Sequence, residues 1–411
     1  MSSEWSETTL GGFVRLQRGH DLTASEQQPG PYPVMGSAGQ NGSHNVAKAK
    51  GPGVVVGRSG ASMGRVHYSE SDYWPHNTCL YVTDFQGNNP RFAYYVLGSL
   101  DLAGYNSGSA QPSLNRNYIY GMPLKIPSRA QQDSIVEVLS ALDDRIALLR
   151  ETNATLEAIA LALFKSWFVD FDPVHVHARG EEPAGLAPEV AALFPDSFEE
   201  SELGMVPKGW RVGAFGDVCA RIESGGTPKR SVPEYWGGGV PWLSSGEVRN
   251  PIVFDTKETI TDLGVRESAA KLWPQGTTVV AMYGATAGEV CLLAKPTTAN
   301  QACCGLIPKS QTRAFMFMCA RRERVALASK SSGSAQQNLN KGLIESHSLV
   351  LPPNEVLNAY EESAGALLNC WIANDQQAQT LAALRDTLLP RLISGQLRLP
   401  EAEAMVREAQ K

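Results

Sequence analysis

The chain is sparing with charge and has no long apolar run. Charged residues make up 19% of its 411 residues, and no hydrophobic stretch approaches the ~20 residues that a membrane-spanning helix needs. That excludes a helical membrane protein. The N-terminus is polar and acidic, without the basic-then-apolar order of a secretory leader, so a cytoplasmic location is expected. The seven cysteines (Cys79, Cys219, Cys291, Cys303, Cys304, Cys319, Cys370) are odd in number and lack C-x-x-C spacing. This speaks against a disulfide framework or a zinc site and for reduced thiols. No G-x-x-x-x-G-K-[ST] loop is present to cradle a phosphate. Asn88-Asn89-Pro90-Arg91-Phe92 approaches the Asn-Pro-Pro-aromatic motif of adenine methyltransferases. It lacks the second Pro, and no glycine-rich methyl-donor loop precedes it.

Two further motifs have bland readings that outweigh their chemical ones. Gly60-Ala61-Ser62-Met63-Gly64 fits G-x-S-x-G, but a nucleophile elbow needs strand, turn and helix. Here a strand pattern follows, and a hairpin turn is the better reading of Ser62. His175-Val176-His177 has no further Cys or His at ligand spacing and reads as solvated linker. No catalytic or metal site is expected in this chain.

What is present is a duplication. Residues 107–115 read Ser-Gly-Ser-Ala-Gln-Pro-Ser-Leu-Asn, and residues 332–340 read Ser-Gly-Ser-Ala-Gln-Gln-Asn-Leu-Asn, identical at seven of nine positions at an offset of 225. The register continues through Ile126-Pro127 and Leu351-Pro352 and, with the offset drifting by one or two, through the glycine pairs Gly60/Gly64 and Gly284/Gly288 and through Asn77 and Asn300. The second copy carries about twenty extra residues, placed by spacing at about 225–240. A period above 200 residues rules out a solenoid. Each phrase precedes its helix at constant offset and is read as the elbow joining globular part to helix. Phosphate contact through its small hydroxyls and amides is the alternative.

Net charge is −6, unevenly spread. Residues 1–127 carry +1 and 206–352 carry +6, whereas the helices, linker and tail carry −13. A basic globular part is the electrostatic footprint of a DNA binder.

Over 131–168, Ile135, Leu142, Leu149, Leu156 and Leu163 lie seven apart. Tyr360, Leu367, Leu381 and Leu388, beside Trp371 and Ala378, read alike. Such repeats predict a coiled-coil seam, with Asn153 and Asn374 as polar interruptions that fix register. A helix over 131–168 spans about 57 Å. Packed antiparallel, the two helices would act as a ruler between the two globular parts. The linker at 170–203, rich in Pro, Glu and Ala, reads as an ordered, irregular crossover. The globular parts read as mixed α/β, with strands at 53–57, 65–68, 78–83, 277–282, 289–293 and 304–307 and helices at 90–100 and 311–328.

Several stretches resemble a known family. They include Ile126-Pro127-Ser128-Arg129-Ala130-Gln131-Gln132, Phe164-Lys165-Ser166-Trp167-Phe168-Val169-Asp170-Phe171-Asp172-Pro173-Val174 and Leu203-Gly204-Met205-Val206-Pro207-Lys208-Gly209-Trp210. Leu384-Arg385-Asp386-Thr387-Leu388-Leu389-Pro390-Arg391-Leu392-Ile393-Ser394-Gly395 is another. Together they resemble the specificity subunit of a type I restriction–modification system, over nearly the whole chain. The resemblance implies an α/β (α+β) fold: two similar target-recognition domains separated by two long antiparallel coiled-coil helices in a pseudo-two-fold tandem repeat. The expected divisions are a first target-recognition domain at 1–127, a central helix at 128–170 and a linker at 171–205. A second target-recognition domain at 206–352, a distal helix at 353–399 and a tail at 400–411 follow.

The resemblance implies double-stranded DNA as ligand, each domain reading one half of a split site. It implies two methyltransferase (modification) subunits docked on the helices, and restriction subunits as further partners. S-adenosylmethionine, ATP and Mg are expected on those partners, with no cofactor on this chain. Direct readout favours Arg on guanine, and Lys and hydroxyls on phosphates. The DNA-contact candidates are Arg58, Ser59, Arg65 and Arg116 in the first copy. In the second they are Lys229, Arg230, Arg249, Tyr283 and Lys341. Competing readings are a specificity subunit of a methylation-only or other phage-defence complex, a scaffold that bridges proteins without DNA, and a hydrolase using Ser62.

Overall fold

Each copy begins and ends in the same two-stranded ribbon. In the computed structural model, which describes residues 5–108, 111–330 and 339–409, Trp5–Thr9 pairs antiparallel with Pro123–Pro127. Arg211–Ala214 pairs in the same sense with Ser348–Leu351. Between these strands each copy builds one larger and one smaller sheet. The first copy orders its larger sheet as Arg15–Arg18, Cys79–Asp84, Gly53–Gly57, Val66–Ser69. The second repeats the order with Cys219–Ser224, Cys303–Pro308, Thr278–Ala281 and Val290–Leu293, then adds Ile252–Val253 in parallel at the edge.

The valine run of Gly53–Gly57 is buried throughout because both faces are covered. Val55 packs with Met35, Tyr73 and Tyr81, and the helix Pro90–Ser99 lies against the strand as well. That helix starts where Asn89 accepts the amides of Arg91 and Phe92, with Pro at the first position, a strong N-terminal signal. In the second copy, alternation sends Val279 and Ala281 into one cluster and Val280 and Met282 into another, as the two-residue period of a strand requires. The helix Arg313–Ser329 takes the place of Pro90–Ser99.

The extra residues of the second copy lie elsewhere than spacing placed them. Strands Tyr32–Gly36 and Gly39–His44 are joined by a tight turn, whereas their counterparts Trp236–Leu243 and Glu258–Ile260 are separated by residues 244–257. A further excess falls between 261 and 277, which includes the helix Asp262–Arg266. Strand pairing aligns Pro33 and Met35 with Pro241 and Leu243, a match too short to position the gap from spacing alone.

Two helices of 40 residues each follow the copies, Arg129–Phe168 and Asn354–Ile393. The chain divides into two compact units that share them. Residues 1–147 with 378–411 form one unit, and residues 148–377 form the other. Within each unit the helices run antiparallel. Arg385 meets Asp143 in the first unit. In the second, Tyr360 donates to the Ala160 carbonyl and Asn374 to Asn153.

Ile135, Leu142, Leu149, Trp371, Leu381 and Leu388 are buried. Leu156, Leu163 and Leu367 are half-buried and pack against the edge of the same core. The buried positions there are Ala160, Phe164, Trp167 and Phe168 on one helix and Tyr360, Ala364, Leu368 and Trp371 on the other. A straight helix drifts about 20° per heptad against a seven-residue repeat. Bulky rings at 164, 167 and 168 therefore take over the core face.

The linker is ordered. It contains the helix Asp172–Ala178 and the hairpin Phe198–Ser201 with Gly204–Pro207. His175 stacks on Phe198 and His177 bonds the Phe194 carbonyl, so His177 is held in packing while His175 stays exposed beside Phe198. The tail forms the helix Leu399–Ala409. All the cysteines but Cys370 are buried, and burial pushes the Cys79, Cys219 and Cys304 thiols up to about 12. Among the described residues no helix is long and apolar enough to cross a membrane.

Candidate nucleic-acid interface

The repeated glycines make a hairpin turn in both copies. Gly60 and Gly64 have φ of 78° and 82°, and Gly284 and Gly288 have 68° and 84°, a region that favours glycine. Gly64 and Gly288 are also crowded: an added Cβ would lie 2.8 Å from the Ala103 nitrogen and 2.6 Å from the Arg324 oxygen. The turn at Gly60–Ser62 links two antiparallel strands. Ser62 thus sits in a hairpin, not at a strand-to-helix elbow.

The end of the repeated phrase latches onto this turn. The Leu114 amide donates to the Arg58 carbonyl at 2.8 Å, and the Leu339 amide to the Met282 carbonyl at 2.8 Å. Both leucines are fully buried. Asn115 and Asn340 then cap the short helices Arg116–Ile119 and Lys341–Glu345, accepting the amides of Asn117 and Leu343. In the first copy the strand Pro123–Pro127 still intervenes before the long helix. The phrase is therefore a brace for the turn, which corrects the elbow reading. Ser109 and Ala110, and Ser332 to Asn338 of the second phrase, lie outside the described residues.

The brace gathers the first-copy candidates. Arg58 and Arg116 line a cleft of about 290 Å³ with Arg18, Ser107, Ser113 and Asn115. Ser59 lies beside it, bridged to Ser113. Arg65 stands apart, in a cavity of about 630 Å³ with Tyr94, Tyr95, Asp101 and Asp143. Sequence reasoning missed Arg18. Its one signal is the alternation of Arg15, Leu16, Gln17 and Arg18, which puts two of the four on each face of a strand.

The second-copy candidates are less concentrated. Lys341 opens the capped helix as Arg116 does, 3.9 Å from Glu345. Tyr283 is exposed just before the turn. Arg249 lies in the inserted residues and donates to the Ala285 carbonyl at 3.4 Å, which brings it to the same turn. Lys229 is exposed. Arg230 is committed elsewhere: it pairs with Glu258 and lies 3.7 Å above Trp236 and 4.9 Å from Trp242. Its hydrogen bond holds the Glu258 carboxyl below the usual range. A guanidinium so neutralised and stacked supports the small sheet, which sets it apart from the other candidates. Among the described residues no group of His, Cys, Asp and Glu is arranged to hold a metal ion.

Comparison with known proteins follows the two copies. A family profile described as "Type I restriction modification DNA specificity domain" matches residues 2–158 and 207–359. The chain is 27% identical over 357 residues to the type I restriction enzyme HindI specificity subunit of Haemophilus influenzae, covering 75% of this chain and 77% of that one. It is 24% identical over 359 residues to the MjaIX specificity subunit of Methanocaldococcus jannaschii, covering 85% and 78%. The crystal structure of the S subunit of a type I restriction–modification system from M. genitalium shares the fold, with a TM-score of 0.62 at 15% identity over 94% of this chain and 96% of that one. The profile matches once per copy and covers most of the chain, and the protein therefore belongs to the type I restriction–modification DNA specificity family.

Proposed function

We propose that this chain is the sequence-reading subunit of a type I restriction–modification assembly. Each copy reads one half of a bipartite site on double-stranded DNA, and the chain itself carries no catalytic group. The observation that carries this reading is the doubled turn-and-brace. The same glycine turn, buried leucine and capping asparagine recur in the two regions that the specificity profile matches, and basic or aromatic side chains surround both turns. Turns braced on a rigid sheet are suited to recognition because the scaffold stays fixed while exposed side chains vary.

The long helices are proposed to fix the spacer between half-sites and to dock two methyltransferase subunits. Each helix is about 60 Å long at ~1.5 Å per residue, and exposed Leu148 and Ile159 leave apolar surface for a partner. Methyl transfer to a flipped-out adenine belongs to those partners, which would hold S-adenosylmethionine. ATP and Mg would belong to restriction subunits in the cytoplasm. A methylation-only complex would use this chain in the same way.

The test is adenine methylation mapped across DNA from cells that co-express the chain with its neighbouring methyltransferase. Methylation at one split motif, lost when this chain is omitted, is the expected result. A formed complex that methylates nothing, with no duplex binding by the chain, would favour a bridging scaffold. Loss of motif methylation on Leu339→Ala, with assembly retained, would tie recognition to the brace.

A further inference from the structure

We propose that the cleft of Arg18, Arg58 and Arg116 clamps one backbone phosphate of duplex DNA, a sequence-blind contact that the first copy has and the second lacks. The proposal rests on the DNA-reading function above and assigns this part of the surface to affinity and positioning, not to base choice.

Charge is the first argument. Three arginines line one cleft. Among the described residues, the one carboxylate paired with any of them is Asp21, 3.1 Å from Arg18 in an exposed pair. Such pairs contribute little. Arg116 is oriented by donating to the Leu16 carbonyl at 2.9 Å, a neutral partner that leaves its charge uncompensated. Three like charges converging without matching carboxylates favour an anion between them, and the guanidinium fork matches phosphate oxygens.

The remaining lining residues are the second argument. Ser107 Oγ donates to the Ser113 carbonyl, and Asn115 Oδ1 accepts the Asn117 amide of its helix cap. The cleft therefore offers positive charge but few free groups to distinguish one base edge from another. Arginine can read guanine through its O6 and N7, but three arginines gathered at one cleft exceed what a single base edge accepts and suit the several oxygens of a phosphodiester.

The second copy supplies the contrast. Strand register places Arg18 opposite Leu80 and Ser224 opposite Cys304, and Leu80 and Cys304 hold equivalent places beside Val56 and Val280. The brace equates Arg58 with Met282 and Arg116 with Lys341. Ser224, buried Met282 and a lysine near Glu345 cannot form the clamp, although the second globular part carries the larger net charge. The clamp is thus a local construction, not a by-product of overall basicity.

The test measures binding of the full chain to a labelled 30-bp duplex of random sequence over a series of salt concentrations. Arg18→Ala is expected to weaken binding about tenfold at 0.1 M salt and to lower the slope of log affinity against log salt by about 1. Arg18→Lys should retain the slope, and Arg145→Ala, on the exposed face of the first long helix, should change neither. Arg58→Gln should repeat the Arg18→Ala result if the two share one phosphate. An unchanged slope in a folded Arg18→Ala protein that still binds would overturn the clamp and leave DNA reading intact. Weakening confined to particular sequences would also overturn it, in favour of a base contact. No binding by the unaltered chain to any duplex would remove both readings.

Discussion

The first copy meets its part of the long helices through carboxylates, and the second meets its part through aromatic rings. In the first unit, Asp143 accepts from the Tyr95 hydroxyl at 2.6 Å and from Arg385 at 2.7 Å, while Arg91 reaches Asp144 at 2.9 Å. Burial, with Asp143 adding to it, pushes the Tyr95 phenol far above its usual range, so it stays a donor. In the second unit, Phe168 lies 5.0 Å from Phe315 and 4.9 Å from Tyr360, with Trp167 and Phe164 beside them. Ion pairs from Arg321 to Glu157 and from Arg313 to Glu361 frame that cluster. Ion pairs thus occur at both joints, and the second adds a buried aromatic cluster to them. Direct charge contacts weaken as salt screens them, whereas buried rings do not.

The largest expected effect is on the aromatic side. Phe168→Ala should cost the second unit about 3–5 kcal/mol. Hydrogen exchange should show the strand Thr278–Ala281 losing protection before Gly53–Gly57 does. Equal losses in both strands would mean that the joints are not separate. Next is Asp143→Ala, which leaves Arg385 and Tyr95 without their acceptor. About 2–3 kcal/mol is expected, read as faster exchange in Gly53–Gly57. In the unaltered protein, 1 M salt should weaken the first unit more than the second.

A smaller effect is expected at Asn153 and Asn374, hydrogen-bonded at 3.1 Å. Asn374→Leu alone should cost about 1–2 kcal/mol by stranding Asn153, which is buried, and adding Asn153→Leu should recover most of that. A double variant no more stable than the single would show that the pair contributes little. The smallest effect is at Asp375, whose carboxyl is raised above its ordinary value by burial. The charged form costs stability above that raised value, and the cost disappears as pH falls below the ordinary Asp range. Asp375→Asn should therefore raise the unfolding midpoint of the second unit at pH 7, with the gain vanishing toward pH 3.

The duplication was legible because Leu114, Asn115, Leu339 and Asn340 are held by backbone geometry that tolerates little change. The strands at 53–57 and 277–282 were legible for a related reason: runs buried on both faces leave unbroken apolar sequence. The brace was not legible, since a hydrogen bond from Leu114 to Arg58 links residues 56 positions apart and no local pattern signals it. Arg18 was missed on the same ground: it reaches the cleft only through strand pairing. Arg230 looked like a free cation because nothing local announces Glu258, 28 residues away, or the Trp236 face beneath it. The helix pattern held where aliphatic residues keep the seam and at Trp167, and it missed Phe164 and Phe168, where large rings widen the buried face.

The ribbon that opens and closes each copy has a consequence for how new specificities arise. Trp5 sits opposite Pro127 and Arg211 opposite Leu351, so each copy departs beside the point where it arrived. Elements with adjacent termini tolerate transplantation. A genetic crossover within the ribbon strands would exchange an entire copy without cutting a sheet, a turn or its brace. Inheritance of recognition would then proceed by swapping whole cassettes between related genes, with the helices as the unchanged socket, faster than substitution could rebuild a surface residue by residue.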